Sequence, residues 1–300
     1  MSNPKISVVI GTYNQKDVLN KVLESFNQQT LERDKFEVIV VDSTSSDGTR
    51  EMLHEFQADF QFYFFIQENS GKTGARNRGV DEARGEYIFI TDADMIAHPE
   101  LLERHLLAHQ KTTVETCFEG NTLNMEKLEW PAAKESLHPY ITRNLKDGAA
   151  LGWYYFLTGN ISFPKNLYLR EGGLSQDFLG YGWEDLEFGY RLSKKKVPLY
   201  YLKQAINYHY HVITKEEEIE RNIKKGESAR IFLKKHPELK WFLGLNPVSK
   251  FVFPKIDQAG TFYKMMKENF FMSKSKVKHE IGFWFLKEFN YLRGLLGPQK

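Results

Sequence analysis

The stretch Glu86-Tyr87-Ile88-Phe89-Ile90-Thr91-Asp92-Ala93-Asp94 runs from apolar, β-prone residues straight into two carboxylates one residue apart. A buried strand of a parallel sheet delivers its last residues to the carboxyl rim, where open α/β folds bind ligands. Two carboxylates held that close repel each other and are expensive to keep together without a cation between them. A small set of oxygen ligands, with room left for phosphate oxygens, suits Mg²⁺ or Mn²⁺ carrying a diphosphate. Taken alone, the pair is also open to a bland use as turn or helix-cap acids.

Other stretches pair polar side chains with turns. Gly11-Thr12-Tyr13-Asn14 ends an apolar run with a small residue, a hydroxyl, an aromatic ring and an amide. Tyr13 can stack there on a planar base, while Asn14 also suits a helix N-cap. Val41-Asp42-Ser43-Thr44-Ser45-Ser46-Asp47-Gly48 offers Asp42 as an acceptor for a base or ribose and Asp47 as a turn or cap residue. Gly71-Lys72-Thr73-Gly74-Ala75-Arg76-Asn77-Arg78 reads as a basic loop feeding a helix N-terminus, whose free N–H groups favour anions. Its spacing is neither that of a Walker A loop nor that of a dinucleotide fingerprint. Further on, Gly180-Tyr181-Gly182-Trp183 precedes Glu184-Asp185. Alternating glycines and aromatics suit a sugar-stacking loop, and two acids opening a helix also suit its dipole. Tyr208-His209-Tyr210-His211 closes a short strand.

The elements that must position these residues alternate over the first 110 positions. Strands are expected at 5–11, 36–42, 60–67 and 87–91, and helices at 16–29, 49–57 and 74–84, with another beginning at Pro99. Such βαβ spacing predicts an α/β fold with a largely parallel sheet. Residues 111–182 look less regular; a helix is expected over 184–196 and short strands at 198–202 and 205–209. From Lys215 onward the pattern is helical and lysine-rich.

Composition is that of a soluble globular chain with a sizeable core. The single cysteine, Cys117, permits no internal disulfide and fits a reducing, cytoplasmic setting. No leader precedes the strand at Ile6 and no apolar run has the length of a membrane span, so neither secretion nor a transmembrane helix is expected. The net charge of +2 is unevenly spread: residues 221–300 carry 17 Lys and Arg against 6 Asp and Glu, a balance of +11, leaving −9 on the first 220. An acidic body and a basic tail with its own electrostatic task are implied.

In their order, these stretches resemble the nucleotide-sugar half of family 2 glycosyltransferases, which adopt the GT-A fold. The resemblance rests on Ile6-Ser7-Val8-Val9-Ile10-Gly11-Thr12-Tyr13-Asn14, Val40-Val41-Asp42, Gly74-Ala75-Arg76-Asn77-Arg78-Gly79 and Thr91-Asp92-Ala93-Asp94, and covers roughly residues 5–212. It implies that Thr12, Tyr13, Asn14, Asp42 and Arg76 line the donor's uridine, that Asp92 lies near the ribose, and that Asp94 holds the metal and diphosphate. Two departures stand out: Gly11 replaces a common proline, and Ser43-Thr44 replaces the usual Asp-Gly. Gly159-Asn160-Ile161-Ser162 with Gly172-Gly173-Leu174 is similar to the family's acceptor-side strand and turn. Gly182-Trp183-Glu184-Asp185 resembles the motif shared by bacterial chondroitin-type polymerases and galactosyltransferases, with Trp183 where glycine is frequent.

By that resemblance the chain is an inverting, metal-dependent enzyme moving sugar from a UDP-sugar to a hydroxyl of a glycan or lipid-linked acceptor. Asp185 would be the base and Glu184 would orient the acceptor, with Asn160, Tyr181 and Trp183 contacting it. His209, or alternatively His211, would complete a Mn²⁺ or Mg²⁺ site with Asp94. A catalytic region over 1–215, divided near residue 110 into donor and acceptor halves, would precede a helical basic region over 216–300. In the tail, Ile281, Trp284, Phe285, Phe289, Leu292 and Leu296 recur at helical spacing among Lys274, Lys276, Lys278, Lys287 and Arg293. That pattern suits a helix packed on the body, a monotopic contact with the anionic inner face of a membrane, or an acidic-glycan surface. No nucleic-acid motif accompanies the charge. The competing readings are a sugar nucleotidyltransferase and a non-catalytic nucleotide- or glycan-binding protein on the same scaffold.

Overall fold

The computed structural model describes residues 3–129, 137–139, 145–180, 182–210, 212–253 and 260–297. The chain divides into two compact units, one of Met1–Gln176 with Glu184–Val212, the other of Asp177–Trp183 with Ile213–Lys300.

In the first unit β1 (Ile6–Thr12), β2 (Phe36–Asp42), β3 (Gln61–Ile66) and β4 (Tyr87–Asp92) alternate with α1 (Lys16–Phe26), α2 (Thr49–Glu55) and α3 (Gly71–Glu82). β5 (Met95–Ala97), α4 (Leu101–Gln110), β6 (Cys117–Met125), β7 (Leu137–Pro139), β8 (Ile161–Pro164), α5 (Lys165–Arg170), α6 (Glu184–Lys194) and β9 (Leu199–Tyr210) follow. The sheet order is β3-β2-β1-β4-β8-β6-β9-β5, with β7 beside β6. β1 to β4 are mutually parallel, and β8 enters antiparallel to β4.

The parallel strands are continuous apolar runs because both faces are covered. Alternate side chains divide between two cores: Val8, Ile10, Val38 and Phe89 on one face with α1, and Val9, Ile39, Ile88 and Ile90 on the other with α3 and α6. The register aligns Thr12 with Asp42 and Gly11 with Asp92, so three strand ends finish within one residue of each other at one rim. The chain order reverses at β1, between β2 and β4, and such a switch point leaves a crevice beyond the carboxyl ends.

Several elements differ from expectation. α3 begins at Gly71 rather than Gly74, because Asn69 Oδ1 accepts the Gly71 N–H at 3.0 Å and Gly71 takes φ +75°. Lys72 therefore lies on the helix rather than in a loop before it. The helix expected from Pro99 starts at Leu101. The two short strands near 198–209 are one strand, which follows β6 across a register shift at Gly120/Asn121. β6 itself lay in the stretch read as irregular; Glu119, Asn121, Thr122 and Asn124 give it no apolar alternation.

The second unit consists of α7 (Lys215–Lys235), α8 (Thr261–Met266) and α9 (Lys276–Leu296), together with the Asp177–Trp183 segment. Thr214 and Glu217 close a capping box on α7. α7 and α9 cross at Gly226 and Gly294, where an added Cβ would come within 2.0 Å of a carbonyl oxygen of the other helix. That crossing sets which face of α9 is covered. Gly282, Leu286, Phe289 and Asn290 are buried, whereas Ile281 and Trp284, read with Phe289 as one stripe, are 47% and 63% exposed. No helix among the described residues is long and apolar enough to cross a membrane.

Candidate active site

The rim at the ends of β1, β2 and β4 is organised by α3. Gly79 lies so close to β1 that an added Cβ would sit 2.4 Å from Val9 Cγ1, and Ala75 lies under Gly11. This close approach carries Arg76, 2% exposed, to the strand ends. Its guanidinium donates to Glu184 Oε1 at 2.9 Å and to Asp92 Oδ1 at 2.5 Å. One buried cation thus joins an acid from the end of β4 to the first residue of α6.

The carboxyls around Arg76 are set apart by their surroundings. Burial pushes Asp92 upward, but the charges of Lys72 and Arg76 outweigh it and hold the carboxyl below its ordinary range. Lys72 is in turn held above the usual lysine range by Asp92. Arg76 stays firmly charged: burial opposes its proton, and Asp92, Glu184 and Asp185 together overcome that opposition. Asp185 moves the other way. Burial and the adjacent Glu184 charge raise it to about 7, against the pull of Arg76 and the N–H groups of Leu186 and Thr158. Glu184 Oε2 is buried with no hydrogen-bond partner among the described residues. Neighbouring carboxyls tuned to opposite protonation tendencies are the mark of divided acid–base roles.

At the end of β1 the Thr12 Oγ1 is likewise buried without a partner among the described residues, and the Tyr13 ring is 51% exposed. Asn14, at φ +52°, receives the Ser46 N–H on its Oδ1 and gives its own N–H to Ser45 Oγ. It therefore clips two loops together rather than capping α1. Asp42, 1% exposed, accepts from Ser45 N–H and Oγ–H. Asp47 accepts from Lys16 N–H, Thr49 N–H and Thr49 Oγ, the turn use foreseen for it.

Asp94, 9% exposed, lies between β4 and β5, and its carbonyl accepts the Tyr210 N–H at 2.8 Å. This pairing places His209 Nε2 3.7 Å from Asp94 Oδ2. The His209 Nδ1–H donates to Asn124 Oδ1 at 3.2 Å, which turns Nε2 toward the carboxylate. A carboxylate beside an imidazole is a donor set that divalent cations take. Among the described residues no group of three or more His, Cys, Asp or Glu is gathered.

The acceptor-side expectations fare differently. Asn160 is fully buried; its Oδ1 accepts from His105 Nε2 at 3.0 Å and its Nδ2 donates to the Ala205 carbonyl. Its side chain is committed to the interior, with His105, Ser162 and His109 in one network, and is removed from the acceptor set. Trp183 packs in the helical unit against Phe232, Phe242 and Tyr291, and its indole N–H donates to the Lys225 carbonyl at 3.0 Å. Its ring is used there as an anchor for the Asp177–Trp183 segment rather than held out as a sugar platform. Tyr181 and His211 lie outside the described residues. Sequence reasoning also missed Glu119, a buried acid on β6 whose only signal was a charge in an unpatterned stretch.

The model of glycosyl transferase family 2 matches residues 7–166. The chain belongs to glycosyltransferase family 2. The model described as the N-terminal domain of galactosyltransferase matches residues 142–215, across the Glu184-Asp185 pair. Validoxylamine A glucosyltransferase of Streptomyces hygroscopicus subsp. jinggangensis is 28% identical over 223 residues, covering 65% of this chain and 53% of that protein. Chondroitin synthase of Escherichia coli is 25% identical over 268 residues, covering 77% of this chain and 38% of that protein. The chain thus spans about half the length of the curated relatives it matches. Among solved structures, the Pyrobaculum calidifontis mannosyltransferase PcManGT, in complex with GDP-Man and Mn²⁺, aligns with a TM-score of 0.64 at 17% identity, covering 100% of this chain and 89% of that one. S. aureus TarS 1–349 in complex with UDP aligns with a TM-score of 0.58 at 16% identity, covering 97% and 90%. The family 2 chain has the GT-A fold that its motifs implied.

Arg76→Met removes the cation shared by Asp92 and Glu184 while keeping most of its bulk. Urea unfolding should show a loss of about 3–5 kcal/mol, as for a broken buried ion pair. A loss below about 1 kcal/mol, typical of exposed pairs, would show that Arg76 does not hold the rim together.

Proposed function

We propose that this chain transfers a sugar from a UDP-sugar to a hydroxyl of a glycan or lipid-linked glycan, with inversion at the anomeric carbon. The observation that carries the reading is the Arg76 junction, which joins a donor-side acid, Asp92, to the acid pair that opens α6. Thr12 and Tyr13 receive the uracil, the first through an unpartnered buried hydroxyl and the second through an exposed ring. Asn14 and Asp42 shape that end from behind. Asp92 lies on the ribose side, and Lys72 and Arg76 supply positive charge beside the diphosphate. Asp94 and His209 would hold Mn²⁺ or Mg²⁺, which when bound neutralises negative charge on the leaving diphosphate.

The chemistry needs one base and no separate acid. The acceptor oxygen bonds to the anomeric carbon while the bond from that carbon to the diphosphate oxygen breaks, and its electron pair leaves with UDP. The acceptor proton passes to Asp185. Glu184, tied to Arg76 by one oxygen, turns the other to the acceptor and orients it. A base near pH 7 is close to the ideal match for this transfer.

We also propose that the chain works on the inner, cytoplasmic face of an anionic membrane, where a lipid-linked acceptor would lie. In the helical unit Val277, Ile281 and Trp284 share one side of α9 and are 70%, 47% and 63% exposed. Lys274, Lys276 and Lys278 stand exposed at the same end and make no ion pair among the described residues. Aromatic and aliphatic groups beside lysines suit the headgroup boundary, each cation contributing about 1 kcal/mol.

A panel of UDP-sugars with Mn²⁺ should yield UDP from at least one donor, with a turnover that falls below about pH 7 as Asp185 takes its proton. Asp185→Asn should lower turnover by at least about 10³-fold, in the range of a lost general base. Near wild-type turnover in Asp185→Asn with loss in Glu184→Gln would reverse the two roles. Full-length chain should float with phosphatidylglycerol vesicles, and Ile281→Glu/Trp284→Glu should abolish flotation with UDP release unchanged. Equal flotation of both chains would discard this face as the contact.

A further inference from the structure

The described residues include four buried glutamates, Glu37, Glu119, Glu184 and Glu187. Glu37 pairs with Arg84, Glu184 with Arg76 and Glu187 with Arg191. Glu119, 1% exposed in the middle of the sheet between Ile161 of β8 and Tyr201 of β9, has no cation among the described residues. A leucine would fill such a position at far lower desolvation cost.

What Glu119 touches points to its use. Its Oε2 accepts the Leu157 N–H at 3.2 Å, and the next N–H along the chain, that of Thr158, donates to the Asp185 carboxylate. Two consecutive backbone donors of one turn thus serve two carboxyls. We propose that Glu119 is a positioning residue for Asp185, acting through the Leu157–Thr158 turn; the inference rests on Asp185 being the base.

Burial, reinforced by the Asp185 charge, holds the Glu119 proton on. In that neutral state Glu119 fixes the turn without adding a second negative charge next to the base. The charged groups facing Asp185 are then Glu184 on α6 and Arg76 on α3, the latter also bonded to Asp92 of β4, with neutral Glu119 behind the turn. A hydrogen bond to a carboxylate favours its charged form, so slackening the turn raises Asp185 and removes base at neutral pH.

The test is the pH profile of kcat/KM for UDP release in the full chain carrying Glu119→Gln, Glu119→Asp or Glu119→Met, with Asp185→Asn in parallel. Glu119→Gln retains an acceptor of the same reach and should keep the wild-type acid limb, with kcat within about threefold, a difference under 1 kcal/mol. Glu119→Asp and Glu119→Met should move the acid limb up by about one pH unit and lower neutral-pH kcat about tenfold, with donor KM unchanged. Glu119→Asp carries the test if Glu119→Met does not fold. An unmoved limb in Glu119→Asp, or a Glu119→Gln chain as impaired as the aspartate variant, overturns the proposal. Substantial turnover in Asp185→Asn would overturn the base assignment instead, whatever the Glu119 variants do.

Discussion

The rim at the strand ends and the acids that open α6 depend on one buried cation. Arg76 is 2% exposed, and a guanidinium taken that far from water is tolerable only with charged partners in good geometry. Asp92 and Glu184 supply them from segments 92 residues apart in the chain. Their negative charge keeps Arg76 protonated, and its positive charge keeps Asp92 ionised beside Asp94. Asp185, next in line to Glu184, is raised by burial and by its neighbour's repulsion against the pull of Arg76. Arg76 thus favours the charged form of Asp92, while Asp185 is raised against its pull.

Backbone packing rather than side-chain reach brings Arg76 into place. Gly79 against Val9 and Ala75 under Gly11 let α3 approach β1. The parallel register then sets Thr12 level with Asp42, and Asp92 level with Gly11, one residue back. A side chain at position 79 would push the helix off the strand and withdraw the guanidinium from both carboxylates. The family's Gly74-Ala75-Arg76-Asn77-Arg78-Gly79 run is in this light a spacing device as much as a binding loop.

The parallel half and its rim were legible because buried strands read as continuous apolar runs, and β1, β2 and β4 each end in a polar residue. Thr12, Asp42, Asp92 and Asp94 come from or just beyond those ends and Arg76 from α3, and the structure gathers them at one rim. The antiparallel half was not legible. β6 has no apolar alternation, since Asn121 and Asn124 face partners made only in the fold, and Asn124 emerges as the residue that orients His209. Asn160 looked like a substrate ligand because its type and place matched; its partners, His105 and the Ala205 carbonyl, are 55 and 45 residues away in sequence. Trp183 likewise reads as a sugar platform until Phe232 and Tyr291 close on it. The α9 stripe was misphased because the Gly226–Gly294 crossing, not apolar periodicity, selects the buried face.

The pair that opened the sequence, Asp92 and Asp94, has two distinct environments: Asp92 faces Arg76, and Asp94 faces His209 across 3.7 Å. Metal and diphosphate binding at Asp94 is the claim on which the donor assignment turns. Calorimetric titration of UDP into the wild-type chain and Asp94→Ala, with and without Mn²⁺, tests it most directly. UDP should bind the wild-type chain at least about tenfold more tightly with Mn²⁺, a difference of 1.4 kcal/mol, and Asp94→Ala should lose that gain. Equal UDP affinity with and without the metal, or a metal gain that survives in Asp94→Ala, would contradict it.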